Sequence, residues 1–279
     1  MTPLGFTVLT FCVSLIAGVF GSLLGLGGGI IIVPFLTLVM GIDIHHAVGA
    51  SIVSVIATSS GAAAAYVRER MTNLRVAMFL EIGTTSGALT GAYLAGVIAI
   101  RWLFIIFGVV LGYSAIQMFR KRHELAAPHV PRDPLADKLR LHGSYHDDAT
   151  GQEVKYRVTH TKLGMALMYI AGIASGLLGI GSGVLKVPSM DLAMKMPIKA
   201  STATSNFMIG VTAAASAGVY FVRGDISPFI TAPVMTGILI GATAGSRLLG
   251  KLQSIWVRTL FVVVLLWVSI QMLLKGAGV

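Results

Sequence analysis

The chain contains the same glycine-rich segment twice, and this duplication restricts its fold more than any other feature of the sequence. The first copy runs from Gly25 to Pro34 and the second from Gly179 to Pro188, so the two copies are 154 residues apart. The same offset relates matching residues along most of both halves without a gap. Such pairs include Ser51 with Ser205, Tyr66 with Tyr220, Gly83 with Gly237, and Trp102 with Trp256. A repeat of this length predicts a protein built from two related halves.

The composition excludes an ordinary soluble domain. Of the 279 residues, 55% are hydrophobic and only 11% are charged, whereas about 25% of the residues of a soluble domain are charged. We therefore expect a multi-pass protein of the lipid bilayer. The net charge of +10 does not predict nucleic-acid binding, because the basic residues lie between apolar segments, where they determine membrane orientation. The single cysteine, Cys12, rules out an internal disulfide and a thiolate metal site, and no cofactor is expected.

Each half contains five apolar segments, the second of which is short. The long segments lie at roughly 5–25, 45–67, 75–97 and 100–119, and at roughly 163–179, 199–222, 228–250 and 254–274. They approach the ~20 residues that cross ~30 Å of hydrocarbon. The short segments, at roughly 30–40 and 184–194, follow the glycine clusters and cannot cross as regular helices. Such paired, glycine-interrupted segments are typical of a transporter's binding site. The sequence therefore predicts an all-α membrane fold with about 8–10 helices and a glycine-broken helical hairpin in each half.

The distribution of Lys and Arg predicts that the two halves are inverted in the membrane. Inverted halves put eight basic residues of the short loops in the cytoplasm and three outside, whereas the best parallel arrangement divides them five to six. The eight are Arg68, Arg70, Arg75, Lys195, Lys199, Arg247, Lys251 and Arg258, and the three are Arg101, Arg223 and Lys275. We therefore predict inverted repeats with both termini outside.

Residues 120–162 form the one soluble stretch. With nine Lys and Arg against six Asp and Glu, this stretch is expected in the cytoplasm. Alternating apolar residues on both sides of Asp147–Gly151 predict a small β-hairpin. Five of the seven histidines lie here, but their spacing matches no zinc pattern, so a solvated loop is the preferred interpretation. The predicted domains are a first repeat over 1–119, this cytoplasmic loop over 120–162 and a second repeat over 163–279.

The glycine clusters are candidate anion sites. Glycine lets the backbone approach a ligand closely, and the helix that follows each cluster directs its positive end toward an anion. The alternative is that the glycines only permit tight helix packing, which is the better interpretation of the regular ladders at 83, 87 and 91 and at 237, 241 and 245. The candidate residues are Gly27, Gly28, Gly29 and Pro34 in the first cluster, and Gly181, Ser182, Gly183 and Pro188 in the second.

Lys186 is the best-defined single candidate for the anion site, because it lies in a segment that is otherwise apolar from Val184 to Val187. A charge inside the membrane costs at least ~2.5 kcal/mol on insertion scales and marks a functional site by default. We predict that its ammonium neutralises a bound anion; the alternative is that it extends to the interface. Hydroxyl and amide groups of the third segments are candidates for the anion's oxygens, or for bonds between helices. They include Thr58 and Thr212, and the repeat-matched Ser51 and Ser205, with Asn206 beside the latter, are preferred.

Two carboxylates are candidates for proton coupling. Glu81 lies seven residues into the fourth segment, where an acid could take up and release a proton; the alternative is an ion pair with Arg75. Asp191 lies in the second short segment, and a salt bridge with Lys195 or Lys199 is its alternative.

The doubled G-x-G-x-G-x4-P pattern resembles the sulfite exporter TauE/SafE family of bacterial membrane permeases, and the resemblance covers both repeats. It implies secondary transport, with export preferred, of small sulfur-containing anions such as sulfite or organosulfonates across the inner membrane by alternating access, and no enzymatic activity. The copies differ, since Ser182 replaces Gly28 and Lys186 replaces Ile32. An anion channel is the main alternative; a membrane-embedded assembly protein or enzyme ranks lower. The expected partners are the anion, the bilayer and protons, and the sequence does not indicate an oligomeric state.

Overall fold

The structure is a computed structural model that describes residues 2–24, 27–68, 71–120, 131–147, 151–181, 183–248 and 254–278. Most of these residues are helical. The first half contains α1 (Pro3–Leu24), α2 (Gly29–Pro34), α3 (Ile44–Arg68), α4 (Leu74–Ala95) and α5 (Ile100–Arg120). The second half contains α7 (Thr161–Leu178), α8 (Gly183–Pro188), α9 (Ile198–Val222), α10 (Pro228–Leu248) and α11 (Ser254–Ala277). From α8 onward, each of these helices begins 154 residues after its counterpart, so the duplication extends to the structure.

The second segment of each half is short, as the sequence predicts. Helices α2 and α8 have six residues each, and a π-helical turn continues each of them, over Phe35–Val39 and Ser189–Ala193. Pro34 and Pro188 stand where the π turn begins. Because proline has no N–H, it cannot continue the regular backbone hydrogen bonds, and the wider turn follows from this gap.

Glycines with unusual backbone angles precede α2. Gly27 and Gly28 have φ angles of +82° and +67°, which residues with side chains rarely adopt. An added Cβ on Gly28 would lie 3.3 Å from the oxygen of Ala17, so the start of α2 lies beside α1. In the second half, Gly179 and Gly181 have the corresponding φ angles of +65° and +73°.

The fourth helix of each half, α4 or α10, packs against helices of the other half. Helix α10 packs against α1 and α3, and its counterpart α4 packs against α7 and α9. The glycine ladders lie in these contacts: a Cβ on Gly241 would overlap the oxygen of Leu15, and one on Gly87 the oxygen of Tyr169. The packing interpretation of the ladders is therefore confirmed. We call α1, α2, α3 and α10 the first bundle, and α7, α8, α9 and α4 the second bundle.

Counterpart helices cross in opposite directions where the halves meet. Near the start of α3, Gly49 approaches Asp225, which follows α9, whereas later in α3 Ser59 donates to the oxygen of Asn206, near the start of α9. Helices α5 and α11 are antiparallel in the same way, because the start of α5 contacts the end of α11 through Arg101 and Gly276.

A small layer lies between the halves in sequence and covers one end of the helices. Helix α6 (Pro134–Lys138) begins at Asp133, whose carboxylate accepts from the amides of Leu135 and Ala136. Strands β1 (Gly143–Asp147) and β2 (Gln152–Tyr156) pair antiparallel on the two sides of the turn that the sequence indicates. We call this end, with residues 131–161, the layer end.

Hydrogen bonds fix the layer to the second bundle. Asn73, which caps the start of α4, donates to the oxygen of Leu141, and the amide of Thr159 donates to the oxygen of Met194. Beneath the layer lies a methionine cluster, packed with Leu80, Leu141 and Tyr145. Its methionines are Met168, Met190, Met194, Met196 and Met208.

The opposite end, which we call the far end, holds the starts of α1 and α10. Phe6 at the start of α1 stacks on Phe229 at the start of α10, with 5.4 Å between ring centroids. Nearby, His46 contacts the oxygen of Asp225 at 3.0 Å. The end of α11 lies here too, through the bond from Arg101 Nε to the oxygen of Gly276 at 2.9 Å.

Among the described residues, four helical stretches are long and apolar enough to cross a membrane. They are Pro3–Ser22, Thr161–Leu178, Ile198–Val222 and Pro228–Ser246. Large apolar side chains are also exposed on the outer faces of other helices, among them Ile82 and Val109. Polar and charged groups, in contrast, are buried between the helices. This distribution is typical of a multi-pass membrane protein.

Candidate functional site

The two glycine turns meet at the contact between the bundles. Ser51 Oγ on α3 donates to the oxygen of Gly179 in the opposite turn at 2.6 Å. Gly29 approaches the same place so closely that an added Cβ would lie 2.5 Å from Ser51 Oγ and 2.7 Å from the oxygen of Gly179. Gly27 and Gly181 both contact Val55 and Ile209. Residues of the two predicted clusters therefore lie together in the buried centre of the protein.

Hydroxyl groups near the turns donate to the backbone. Besides Ser51, Thr58 Oγ1 donates to the oxygen of Ser54 at 3.0 Å and reaches the oxygen of Gly27 at 3.5 Å. The bonds between helices that the sequence left open as an alternative are thus observed for Ser51. Backbone N–H groups of the first turn are also in use, because Gly29 N donates to the oxygen of Gly27. Ser205, the counterpart of Ser51, is fully buried.

Asn206 carries an unused acceptor in this region. Its side chain is 1% exposed, and Nδ2 reaches the oxygen of Ser22 at 3.5 Å. Its Oδ1 has no hydrogen-bond partner within the described part of the chain. Buried polar atoms are normally paired, so an unpaired amide next to the end of α1 marks a position where a ligand or water can bind.

Lys186 is fully buried and belongs to a hydrogen-bonded network. Its Nζ donates to Thr212 Oγ1 on α9 at 2.5 Å, and Thr212 Oγ1 donates to Glu81 Oε1 on α4 at 2.6 Å. Thr85 also donates to Glu81 Oε1, at 2.9 Å. The alternative in which Lys186 extends to the interface is therefore wrong. An ammonium and a carboxylate lie on opposite sides of one hydroxyl, inside the second bundle.

Glu81 does not use the alternative partner that the sequence offered. Arg75 instead donates to the oxygen of Arg140 in the layer at 3.2 Å. The side chain of Glu81 is 9% exposed, and its second oxygen, Oε2, has no partner among the described residues. One carboxylate oxygen is thus held by two hydroxyls, and the other is available.

The network exists in only one of the two bundles. At the positions 154 residues away, Ile32 replaces Lys186 and Met235 replaces Glu81. Thr212 has a threonine counterpart, Thr58, whose hydroxyl donates only to the backbone. Among the described residues, the helices therefore recur in both halves, whereas the network of Lys186, Thr212 and Glu81 lies in the second bundle.

The remaining predicted residues lie at the edges of this region. Gly183 and Pro188 are the first and last residues of α8, and Pro34 is the last residue of α2. Asp191 is half-buried on the π turn that follows α8. Ser182 lies outside the described residues.

Thr212 and Thr85 complete the network. Thr85 was not indicated as a site residue, although it had a local signal, since it lies four residues after Glu81 and so shares one face of α4. Thr212 belongs to the candidate hydroxyls of the third segments, but its contact with Glu81 had no signal, because the two residues are 131 apart and meet only through the packing of α9 on α4.

Comparison with known proteins identifies a family and several relatives. The profile of the sulfite exporter TauE/SafE family matches residues 10–272. The chain is 26% identical over 276 residues to the probable membrane transporter protein YunE of Bacillus subtilis, covering 96% of this chain and 98% of that one. It is 24% identical over 241 residues to the probable membrane transporter protein YdhB of the same organism, covering 86% and 89%. It is 28% identical over 214 residues to the probable membrane transporter protein MJ0441 of Methanocaldococcus jannaschii, covering 73% and 68%. No solved structure matches.

Proposed function

Because the chain belongs to the sulfite exporter TauE/SafE family, we propose that it exports a small sulfur-containing anion, such as sulfite or an organosulfonate, by secondary transport. Its family and the names of its relatives point to a membrane transporter rather than an enzyme. The substrate class follows the family name and fits the chemistry of the site. The single observation that carries the proposal is the fully buried ammonium of Lys186 beside the paired glycine turns.

A buried cation favours an anionic substrate. A charge inside the membrane is costly unless it has a partner, so Lys186 attracts a negatively charged group. Thr212 adds a hydroxyl within the second bundle, and Asn206 adds an amide Nδ2 that reaches the oxygen of Ser22 only at 3.5 Å; both groups can donate to the oxygens of a sulfite or sulfonate. Glycines at the turns keep side chains out of the space between the bundles.

The directions of the helices support inverted repeats. Helices α3 and α9 are counterparts and run antiparallel, as do α5 and α11. If these helices cross the membrane, the symmetry axis that relates the halves lies in the membrane plane, which is the arrangement of inverted repeats.

The basic residues support an orientation. Arg75, Lys195 and Lys199 belong to segments at the layer end, and Arg101 and Arg223 lie at the far end with the start of α1 and the end of α11. The rule that cytoplasmic loops are rich in Lys and Arg then favours the layer end as cytoplasmic and the far end as external. We propose the bacterial inner membrane as the location.

The packing of α4 and α10 against the opposite halves suggests which bodies move. We propose that the first and second bundles, rather than the two halves of the sequence, rock against each other around the glycine turns. Each bundle keeps its own hairpin, and the contact between α3 and α9 lies between them. Alternating access to Lys186 follows if this contact opens first at one end and then at the other.

The test is sulfite flux into proteoliposomes that contain the purified protein, with taurine and sulfoacetate as competitors. We expect protein-dependent flux that Lys186→Met reduces at least about tenfold, since 1.4 kcal/mol of lost binding already gives this factor. The control is Lys162→Met, which removes an exposed lysine at the start of α7. Equal flux in the wild type and Lys186→Met would refute the proposed site.

An anion channel remains the alternative, because a buried cation also suits a selectivity filter. Electrical recordings across a planar bilayer separate the two. A channel passes a sulfite current of many ions per opening, whereas a secondary transporter shows no single-channel steps.

A further inference from the structure

We propose that Glu81 is a built-in counter-ion of Lys186 that the transported anion displaces, and that Glu81 Oε2 then binds a proton, so that one anion and one proton cross together. This inference rests on the proposed function, because it requires the anion to bind at Lys186. It adds a proton-binding site and a stoichiometry of one proton per anion to that function.

The two charges of the site balance each other. Lys186 and Glu81 interact electrostatically through Thr212, and both side chains are buried. A buried charge is strongly destabilising when its partner is removed. Lys186 therefore requires one negative partner at all times, and the carboxylate of Glu81 supplies it when no anion is bound.

Thr212 lies between the two charges, and its hydroxyl can change its acceptor. It accepts from Lys186 Nζ, and its single hydroxyl proton has two acceptors, Glu81 Oε1 at 2.6 Å and the oxygen of Met208 at 2.9 Å. Rotation of the hydroxyl alone releases Glu81 from the network. A bound anion can then take over Lys186 without a shift of α9.

Glu81 offers a defined atom to the proton. Its Oε1 accepts from Thr85 and Thr212, whereas Oε2 is buried and has no partner within the described residues. An unpaired carboxylate oxygen in the interior is normally explained by a ligand, water or a catalytic role. A proton on Oε2 leaves the bond from Thr85 to Oε1 in place.

No other described charge is in contact with Glu81. On α4 itself, Arg75 is bound to the layer. On α7, which packs against α4, Lys162 is exposed and the hydroxyl of Tyr169 contacts Thr90. On α9, Lys199 lies at the layer end, three turns before Thr212. Within the described chain, the charge that Glu81 meets is that of Lys186.

These contacts define a coupled cycle. When an anion binds Lys186, two negative charges would share one positive charge, and their repulsion favours a proton on Glu81. The proton comes from water on the side where the anion enters. On the other side the anion and the proton leave, and the carboxylate returns to Lys186. Because the two cross in the same direction, net export by this cycle requires an outward concentration gradient of the anion that exceeds the inward gradient of protons. A loaded site without the proton carries a net negative charge, which is costly to move through the membrane interior.

The experiment compares exchange with accumulation in proteoliposomes. Counterflow of labelled sulfite and labelled methanesulfonate, without a pH gradient, measures anion exchange. Uptake against a concentration gradient, driven by an acidic outside, measures coupling. Methanesulfonate is included because its charge stays constant near neutral pH, whereas a pH gradient redistributes sulfite itself.

The wild type is expected to accumulate methanesulfonate at least fivefold, with an equal number of protons entering. Glu81→Gln keeps the shape and a neutral side chain, so counterflow should persist while accumulation is lost. Glu81→Asp, which retains a carboxyl group, should still accumulate the anion. Met235→Gln, an amide at the counterpart position in the first bundle, is the matched control and should behave as the wild type.

Three outcomes would overturn the inference. Accumulation by Glu81→Gln equal to that of the wild type shows that Glu81 carries no proton. Loss of counterflow in both Glu81→Gln and Glu81→Asp assigns Glu81 to folding or anion binding instead. Absence of counterflow in the wild type with either anion refutes the proposed function, and the inference with it. Only the last outcome also removes the transporter proposal for these anions.

Discussion

At the scale of single residues, the site is defined by the difference between two positions that the repeat makes equivalent. Thr58 and Thr212 occupy the same place in α3 and α9, but only Thr212 lies between an ammonium and a carboxylate. Substituting Thr58 therefore measures the structural contribution of a buried threonine, and substituting Thr212 measures that contribution together with its role in the network. Thr58 is thus a control for Thr212 within the same protein.

We predict that Thr212→Val lowers sulfite flux about tenfold or more, because the ammonium of Lys186 loses its acceptor and hydrogen bonds to charged groups contribute ~1.5–3 kcal/mol. Thr58→Val removes a hydroxyl of equal size that bonds only to the backbone, so its flux should remain within about twofold. Initial rates in proteoliposomes, normalised to reconstituted protein, measure both. A loss in Thr58→Val as large as that in Thr212→Val would contradict the role of the network.

The sequence predicted part of this residue-level picture. A lysine in an apolar segment is visible in the sequence, so Lys186 could be selected in advance. Its contacts could not, since Thr212 is 26 residues away and Glu81 lies in the other half. Ser51 shows the opposite case: a repeat-matched hydroxyl attracted attention as a ligand, but its proton is donated to the oxygen of Gly179.

At the scale of elements, Asp133 connects the layer to the membrane helices. It caps α6, and its Oδ2 also accepts from the amide and the hydroxyl of Thr161 at the start of α7. Partial burial acts to raise the pKa of Asp133, but hydrogen bonds from Thr161, Leu135 and Ala136 together lower this pKa below its ordinary value of 3.8. The ionised form is therefore the one that holds the layer in position.

We predict that Asp133→Ala loosens the layer, since the loss of a cap costs about 1 kcal/mol. Amide hydrogen exchange of residues 131–147 should become several-fold faster. Asp137→Ala is the control: Asp137 makes exposed pairs with His142 and Arg157, which contribute little. Equal exchange rates in the two variants would contradict the account.

The same contact predicts a pH dependence. Because the pKa of Asp133 is lower in the folded protein than in the unfolded chain, its stabilisation is present above the unfolded pKa and is lost as pH falls through the folded value. The protection of the layer's amides against hydrogen exchange, taken relative to the intrinsic exchange rate at each pH, should therefore fall in the wild type below about pH 4. In Asp133→Ala this protection should fall less.

The sequence was most informative about the helical segments. Hydrophobic length and glycine position predicted the five segments and the short second one, because both are local properties. The packing of α4 and α10 against the opposite halves was not predictable, since a 154-residue repeat identifies equivalent helices without saying which of them touch. The π turns after Pro34 and Pro188 were also missed.

At the scale of the whole molecule, the two ends carry the proposed orientation. We predict that, in a Cys12→Ser background, Ser144→Cys on β1 reacts with a membrane-impermeant maleimide only after cells are permeabilised. Ala99→Cys, between α4 and α5 at the far end, should react in intact cells. Both side chains are exposed, so accessibility is limited by the membrane alone. Labelling of both positions from the same side would contradict the crossing of α5, and labelling with the two sides exchanged would contradict the proposed orientation.

The central claim is that a small anion binds at the buried Lys186, and equilibrium binding of labelled sulfite to the purified protein in detergent tests it most directly. The account predicts one site per chain, with affinity at least about tenfold weaker in Lys186→Met and unchanged in Lys162→Met. Lys186→Arg, which keeps the charge, should retain binding better than Lys186→Met. If Lys186→Met binds sulfite with wild-type affinity, the anion site lies elsewhere and the account is wrong.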